Sequence, residues 1–523
     1  TNASLSPTGK RALFEARGEI FTVPVEKGDP RNLSESSGAA DRMPVWSPDG
    51  GTVAWFSDDG DGYELFLADQ DGLSEPRRMD MGQSKFAWEA TWSPDGKFIA
   101  FVDDDTRIRV VDVESGDIRT ADMGGTNLER GSMGLTWSPD SKWLAYAKTH
   151  ENNFRRVMAW SVDTEEVLTL TDPLADATSP SWDRDGRHLY FLASTNLALG
   201  SGWANTSAMN AEPTYAAYVM LLRSDDPTPF PLESDEEEVK EDTGEEASAE
   251  SGEGEEEGAG EGADEEEEGV RIDADGIQRR IMALPMPVRR YAMTVAGPEG
   301  SVFVGEYVDN EPGMTLHKFS LSDREASIFT EGVSQVSVSN DGTKMLYRSG
   351  PRWSVVDTNR PPERGTGAID VTLRMHLDRE EEWRQMFDEV WRLERDFFYD
   401  PGMHGNDWDA VRRRYRPLVR HVRHRSDLNY IFDQVNGELS VGHSYVGGGD
   451  YPDVESNRVG LLGADFETHD GRWRIQRIFT MESWNPGLSA PLDRPGIRAE
   501  EGHYLVGIDG EEITADQDLY RFL

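Results

Sequence analysis

Short apolar runs separated by turn residues recur through the first two thirds of the chain. Phe98-Ile-Ala-Phe-Val102 is an unbroken apolar run, and Ile108-Arg-Val-Val-Asp-Val113 after it alternates apolar and polar positions. Runs this short, bounded by turn signals, read as strands and not as helices. The turns themselves repeat. Trp46-Ser-Pro-Asp-Gly50 returns as Trp92-Ser-Pro-Asp-Gly96, Trp137-Ser-Pro-Asp-Ser141 and Trp182-Asp-Arg-Asp-Gly186, with the tryptophans 46, 45 and 45 residues apart. Weaker copies stand at Leu5-Ser-Pro-Thr-Gly9, Val295-Ala-Gly-Pro-Glu-Gly300 and Val338-Ser-Asn-Asp-Gly342, which makes seven. Proline presets φ in such a turn and glycine supplies the positive φ that closes a hairpin. A period in the forties carrying four short strands is one propeller blade. Residues 1–373 are therefore expected to form an all-β, seven-bladed propeller.

One interval breaks the period. Trp182 and Val295 are 113 residues apart, and the surplus holds the run Glu233–Glu268, with twenty acidic residues against the single Lys240. Its Glu, Gly, Ala and Ser cannot bury apolar surface, so residues 233–269 are expected to be a disordered insertion leaving blade five. It reads either as plain solvated chain or as a charged brush at a channel mouth.

The period changes after Val371. Trp383, Met386, Phe387, Val390, Trp391, Leu393, Phe397 and Phe398 fall mostly at steps of three and four, which predicts a helix from Asp378 to about Phe398, ended by Asp400-Pro401-Gly402. Asp407 can cap a second helix reaching Arg416, and Ser426-Asp427 opens a third that closes near Gly437. This mainly α-helical segment, residues 374–455, then leads into Glu438-Leu-Ser-Val-Gly-His-Ser-Tyr-Val446, read as a short apolar strand carrying His443 between the small Gly442 and Ser444. A lone strand histidine is more often structural than catalytic. His404, in Gly402-Met-His-Gly405, competes for a chemical role, while His421 and His424 read as surface residues of a basic loop. No histidine or carboxylate spacing suits a metal, so no metal site is expected.

Composition narrows the classes. Without cysteine, thiolate catalysis and disulfides are excluded. The formal charge is −46, of which the acidic run supplies −19 and the rest of the chain −27. That balance would repel nucleic acid and acidic membranes, so neither is an expected partner. The basic residues are 44 Arg and only 9 Lys; a high-salt cytoplasm and a GC-rich genome account for this equally well. No run approaches 18 apolar residues, and none reads as a membrane span. The chain opens on Thr1 in strand-like sequence, so an internal piece of a longer protein is expected, with a cytoplasmic location and a periplasmic one left open.

Several motifs together carry a family resemblance. Glu382-Trp-Arg-Gln385, Arg395-Asp-Phe-Phe-Tyr-Asp400, Met403-His-Gly405, Arg425-Ser-Asp-Leu-Asn-Tyr430 and Gly437-Glu-Leu-Ser-Val-Gly-His443 resemble the first core segment of tricorn proteases. Ala16-Arg-Gly-Glu-Ile-Phe-Thr-Val-Pro24 is similar to the start of that family's seven-bladed propeller. Val459-Gly-Leu-Leu-Gly-Ala-Asp-Phe466, Trp473-Arg-Ile-Gln-Arg-Ile-Phe479 and Tyr504-Leu-Val-Gly-Ile-Asp-Gly510 resemble a PDZ domain, expected over residues 456–523 and incomplete.

The resemblance implies a serine-type peptidase acting on peptides or unfolded polypeptides, without a cofactor, as a homo-oligomer of hexameric type. It places the catalytic histidine on His443 and a peptide-carboxylate loop on Gly460, Leu461, Leu462 and Gly463. It also implies that the serine nucleophile and acidic partner lie in a later segment, so residues 1–523 alone are expected to be inactive. The archaeal type has serine before the histidine. Gly442 stands there instead, which leaves Ser444, a water or a downstream carboxylate to orient the ring. Two rivals remain: a propeller and PDZ scaffold that binds peptides without cleaving them, and a prolyl-oligopeptidase-like enzyme, which would need a Gly-x-Ser-x-Gly elbow absent from this sequence.

Overall fold

A computed structural model describes residues 2–60, 62–196, 213–231, 269–480, 482, 484, 485, 487, 488 and 490–523. The acidic run expected to leave blade five lies outside the described residues. The chain divides into two compact units, Thr1–Val446 and Gly447–Leu523.

In the first unit, five antiparallel four-stranded sheets follow one another, and a six-stranded sheet follows them. Its strand Glu325–Val338 belongs to two blades: residues 325–330 pair with Leu316–Ser320, and residues 333–338 pair with Lys344–Ser349. Seven blades result. Blade 7 closes on blade 1 through packing of Leu5, Phe14 and Val23 against Leu346 and Val355, and Leu5 donates its N–H to the Ser337 hydroxyl at 3.0 Å.

The repeated motif explains why each blade turns where it does. The Ser93 hydroxyl donates to Asp95 at 2.6 Å and accepts the Phe98 N–H at 2.9 Å, which locks the turn between the first two strands. Ser138 with Asp140, and Ser339 with Asp341, repeat the arrangement. Gly50 and Gly96 hold φ of 73° and 77° at the end of this turn. Ser141 takes the same left-handed conformation at φ 63°, and its hydroxyl accepts the Asp95 N–H of the preceding blade at 2.9 Å. The tryptophans also reach one blade back: Trp182 donates to the Thr136 carbonyl at 3.1 Å.

The fifth copy, where Arg184 replaces proline, makes a different join. Its guanidinium donates to the carbonyls of Ala296, Ser339 and Asn340 at 2.9–3.0 Å, so one side chain ties blade 5 to blades 6 and 7. Burial lowers its affinity for the proton, although the charge is kept at any physiological pH.

Three helices follow: α1 (Arg379–Phe397), α2 (Trp408–Tyr415) and α3 (Arg425–Gly437). Asp378 caps α1 by accepting the Glu380 and Glu381 N–H groups, and Asp407 caps α2 by accepting that of Ala410. α3 is capped by His424, with Asp427 accepting the His424 N–H at 3.0 Å. Trp383, Phe387, Trp391, Trp408, Val411, Leu428, Phe432 and Val435 form their common core. Trp391 and Trp408 exchange indole N–H bonds with each other's carbonyl, at 2.9 and 3.0 Å, so neither ring is buried with an unpaired donor.

Candidate functional site

One face of α1 docks on the propeller through charge as well as packing. Glu382, buried, pairs with Arg17 at 2.6 Å, and Glu389 accepts from Arg42 at 2.7 Å and from the Tyr63 hydroxyl at 3.1 Å. Asp58, 4 % exposed, accepts the Ala40 N–H at 2.6 Å and the Gln385 amide at 2.9 Å, and it pairs with Arg392. At the C-terminal end of α1, Phe397 lies edge-on to Trp88 at 5.7 Å, beneath the Arg130 guanidinium. The helical segment is therefore held on the propeller by a polar seam with an aromatic end.

Beyond α3 the chain leaves the helix at Gly437, and Ser440 takes a positive φ of 56°. His443 follows in a bend, not in the expected strand, because no other strand offers this stretch a ladder among the described residues. The ring of His443 is exposed. Its Nδ1 stands 3.1 Å from the Tyr445 hydroxyl, and Nε2 has no partner among the described residues. Gly442 faces open space, with nothing within 4 Å of where a Cβ would sit. Among the described residues the side chain on the ring is Tyr445 and not Ser444. Side chains two residues apart in extended backbone share a side, and that spacing was the available signal.

The competing histidines are committed elsewhere. His404 places Nδ1 2.8 Å from the Leu439 carbonyl and Nε2 against the Tyr399 hydroxyl, and it takes φ 53° in a turn. Asp400, whose carboxyl is lowered by the Gly402 and His404 N–H groups, fixes that turn. His424 serves as the cap of α3, and His421 accepts from Arg420 at 3.0 Å. Among the described residues, Asp183, Asp185 and His188 form one trio close enough to share an ion. Hydrogen bonds account for it: Asp183 accepts the Tyr190 hydroxyl and the Gly300 N–H, and Asp185 lies against His188 Nδ1.

In the second unit, Ala464–His469 and Arg472–Ile478 form a hairpin extended by Tyr504–Leu505. The loop Gly460–Gly463 precedes it. The Gly460 N–H donates to the Leu523 carbonyl at 2.9 Å, while the Leu462 and Gly463 carbonyls accept from Leu492 and Phe479. Leu461 is exposed. A short 3-10 turn, Leu519–Phe522, capped by Asp518, ends the unit.

Comparison with known proteins matches these parts in order. Residues 1–359 match the tricorn protease second β-propeller domain, residues 379–437 the tricorn protease C1 domain, and residues 460–523 the tricorn protease PDZ domain. Tricorn protease homolog 1 of Streptomyces coelicolor is 28% identical over 551 residues, covering 98% of this chain and 48% of that protein. The tricorn protease of Thermoplasma acidophilum is 23% identical over 384 residues, covering 73% and 34%. The fold agrees with a crystal structure of the tricorn protease at a TM-score of 0.74 and 20% identity, covering all of this chain and 49% of that one. The chain thus spans about half the length, or less, of the relatives it matches. With a family model matched over more than half of its residues, the chain belongs to the tricorn protease family.

Proposed function

We propose that this chain is the substrate-handling and histidine-bearing part of a serine peptidase that degrades peptides, with His443 as its general base. The observation that carries the reading is the exposed imidazole with Nδ1 beside the Tyr445 hydroxyl and Nε2 unpartnered among the described residues. A proton on Nδ1, donated to the Tyr445 oxygen, leaves the Nε2 lone pair outward. Nε2 can then take the proton of a serine hydroxyl as that oxygen attacks a peptide carbonyl, and return it to the departing amine. In this reading, which follows the family resemblance, the nucleophile belongs to a segment outside residues 1–523.

The propeller channel admits extended peptides and excludes folded proteins, and a peptide carboxylate binds at the Gly460–Gly463 loop by taking the place of the Leu523 carbonyl on the Gly460 N–H. The reading calls for no cofactor. It places the complete protein in the cytoplasm as a homo-oligomer, and no helix of the described residues is long and apolar enough to cross a membrane. His443→Ala in the complete protein should lower kcat by roughly three to six orders of magnitude at unchanged Tm, because members of such a constellation act as a unit. Near-normal turnover of that variant would overturn the assignment.

A further inference from the structure

Where α1 meets the propeller, the polar seam leaves a cavity of about 140 Å³. It lies between the turn at Tyr63, the segment leading into the strand Ala87–Trp92, and the C-terminal half of α1. Its apolar wall is Tyr63, Phe86, Leu393 and Phe397. Phe86 stands edge-on to Tyr63 at 4.9 Å and to Phe397 at 6.2 Å, so propeller and helix both contribute rings to this wall. Five charged residues also line the cavity. Two of them are spent on partners across the seam, Arg392 on Asp58 and Glu389 on Arg42. The other three do not balance. Lys85 and Arg395 both pair with Asp396, at 3.2 and 2.7 Å, and no further carboxylate lies within ion-pair distance of Lys85 among the described residues. The Asp396 side chain is 7% exposed, against 53% for Lys85 and 40% for Arg395. Two cations therefore stand at the rim over one buried carboxylate.

We propose that this cavity binds a small carboxylate carrying one apolar group, its charge at Lys85 and Arg395 and its apolar group against the aromatic wall. Charge selects the anion. Arg395 already takes both Asp396 oxygens, at 2.8 and 2.7 Å, so the Lys85 ammonium beside that pair is the charge left to balance. A cation is repelled by this surplus, and a neutral ligand leaves it uncompensated. Size selects the rest. An apolar cavity of about 150 Å³ takes one benzene ring, so this one has room for a phenyl or isobutyl group. Apolar walls supply the affinity and a few charges fix the orientation, which is how small-ligand sites are built. Because the wall comes from both the propeller and α1, the site exists only while the helix is docked, and an occupant holds the two together. A free organic acid and the C-terminal residue of a peptide both present this chemistry.

The test is saturation-transfer NMR of the full chain with hydrocinnamate, hydrocinnamamide, acetate and N-acetylphenylalanine. Hydrocinnamate should bind with a Kd of about 0.1–5 mM, the range for a ligand of its size. The neutral amide and the tail-less acetate should each bind at least about tenfold more weakly. Lys85→Met/Arg395→Met should lose a similar factor, while Arg279→Met/Arg352→Met, which removes the same charge at exposed sites elsewhere, should bind like the wild type. Leu393→Trp fills the cavity, keeps both cations and should abolish binding, with one circular dichroism spectrum for all variants. Hydrogen exchange then locates the ligand: at about ten times Kd the α1 amides should exchange about tenfold more slowly. N-acetylphenylalanine binding as tightly as hydrocinnamate supports a peptide end as the source, and its exclusion supports a free acid. Equal binding of acid and amide overturns the proposal. So does full affinity in the Lys85/Arg395 or Leu393 variant, α1 exchange that the ligand does not slow, or no binding of either carboxylate probe up to about 20 mM.

Discussion

Arg392→Met tests whether the polar seam fixes the helical segment to the propeller. The substitution keeps the length and apolar stem of the side chain and removes only the guanidinium. It leaves the Asp58 carboxylate, 4 % exposed, with the Ala40 N–H and the Gln385 amide but no countercharge. Breaking one side of a buried pair costs about 3–5 kcal/mol when the other charge has no escape. Asp58 has an escape, because protonation relieves it. Burial already pushes its carboxyl above the ordinary carboxylate range, and the hydrogen bonds and Arg392 offset only part of that. A carboxyl raised in the folded state favours folding at pH below its unfolded value of about 4 and loses that contribution as pH climbs through the folded value. Losing Arg392 raises the folded value further, so the penalty should be smallest near pH 5 and grow toward pH 8. Hydrogen exchange of the α1 amides reads this directly as the free energy of lifting the helix. The expected loss is about 2–4 kcal/mol at pH 7 and about 1 kcal/mol less at pH 5, and adding Asp58→Asn should recover most of it. A change below about 0.5 kcal/mol, or one equal at pH 5 and pH 8, would show that the seam is solvated and that packing alone holds α1.

Two further perturbations address the site and the ring. Gly442→Ser in the complete protein should change kcat only a few-fold, about 1 kcal/mol, because the new side chain meets open space and Tyr445 already holds Nδ1; a larger gain would mean that serine orients the ring better. Arg184→Met should lower the chemical-denaturation stability of the propeller by about 2–3 kcal/mol, since the carbonyls of Ala296, Gly297, Ser339 and Asn340 lose their donor; unchanged stability would mean that water replaces the guanidinium at no cost.

What the sequence reveals here depends on how far apart the cooperating residues are. The blades are legible because each turn closes on itself. Ser93, Asp95 and Phe98 satisfy one another within six residues, so the motif is a local chemical unit that recurs wherever the fold needs it. The helices are legible for the same reason, since Trp383, Phe387 and Trp391 keep helical spacing on one buried face. The seam is not: Asp58 and Arg392 lie 334 positions apart, and in sequence each resembles a solvated charge. Nor could pattern place His443 correctly. An apolar run with alternating small residues reads as a strand, yet a strand exists only where a partner supplies hydrogen bonds, and that partner is a tertiary fact. The acidic excess misleads in the opposite direction. Summed over the chain it suggests a surface that repels everything, whereas four of the seven arginines between 412 and 425 are consumed by Asp388, Asp407 and Glu438 and two are left facing solvent. Only pairing, residue by residue, distinguishes a charge that stabilises its own fold from one available to another molecule.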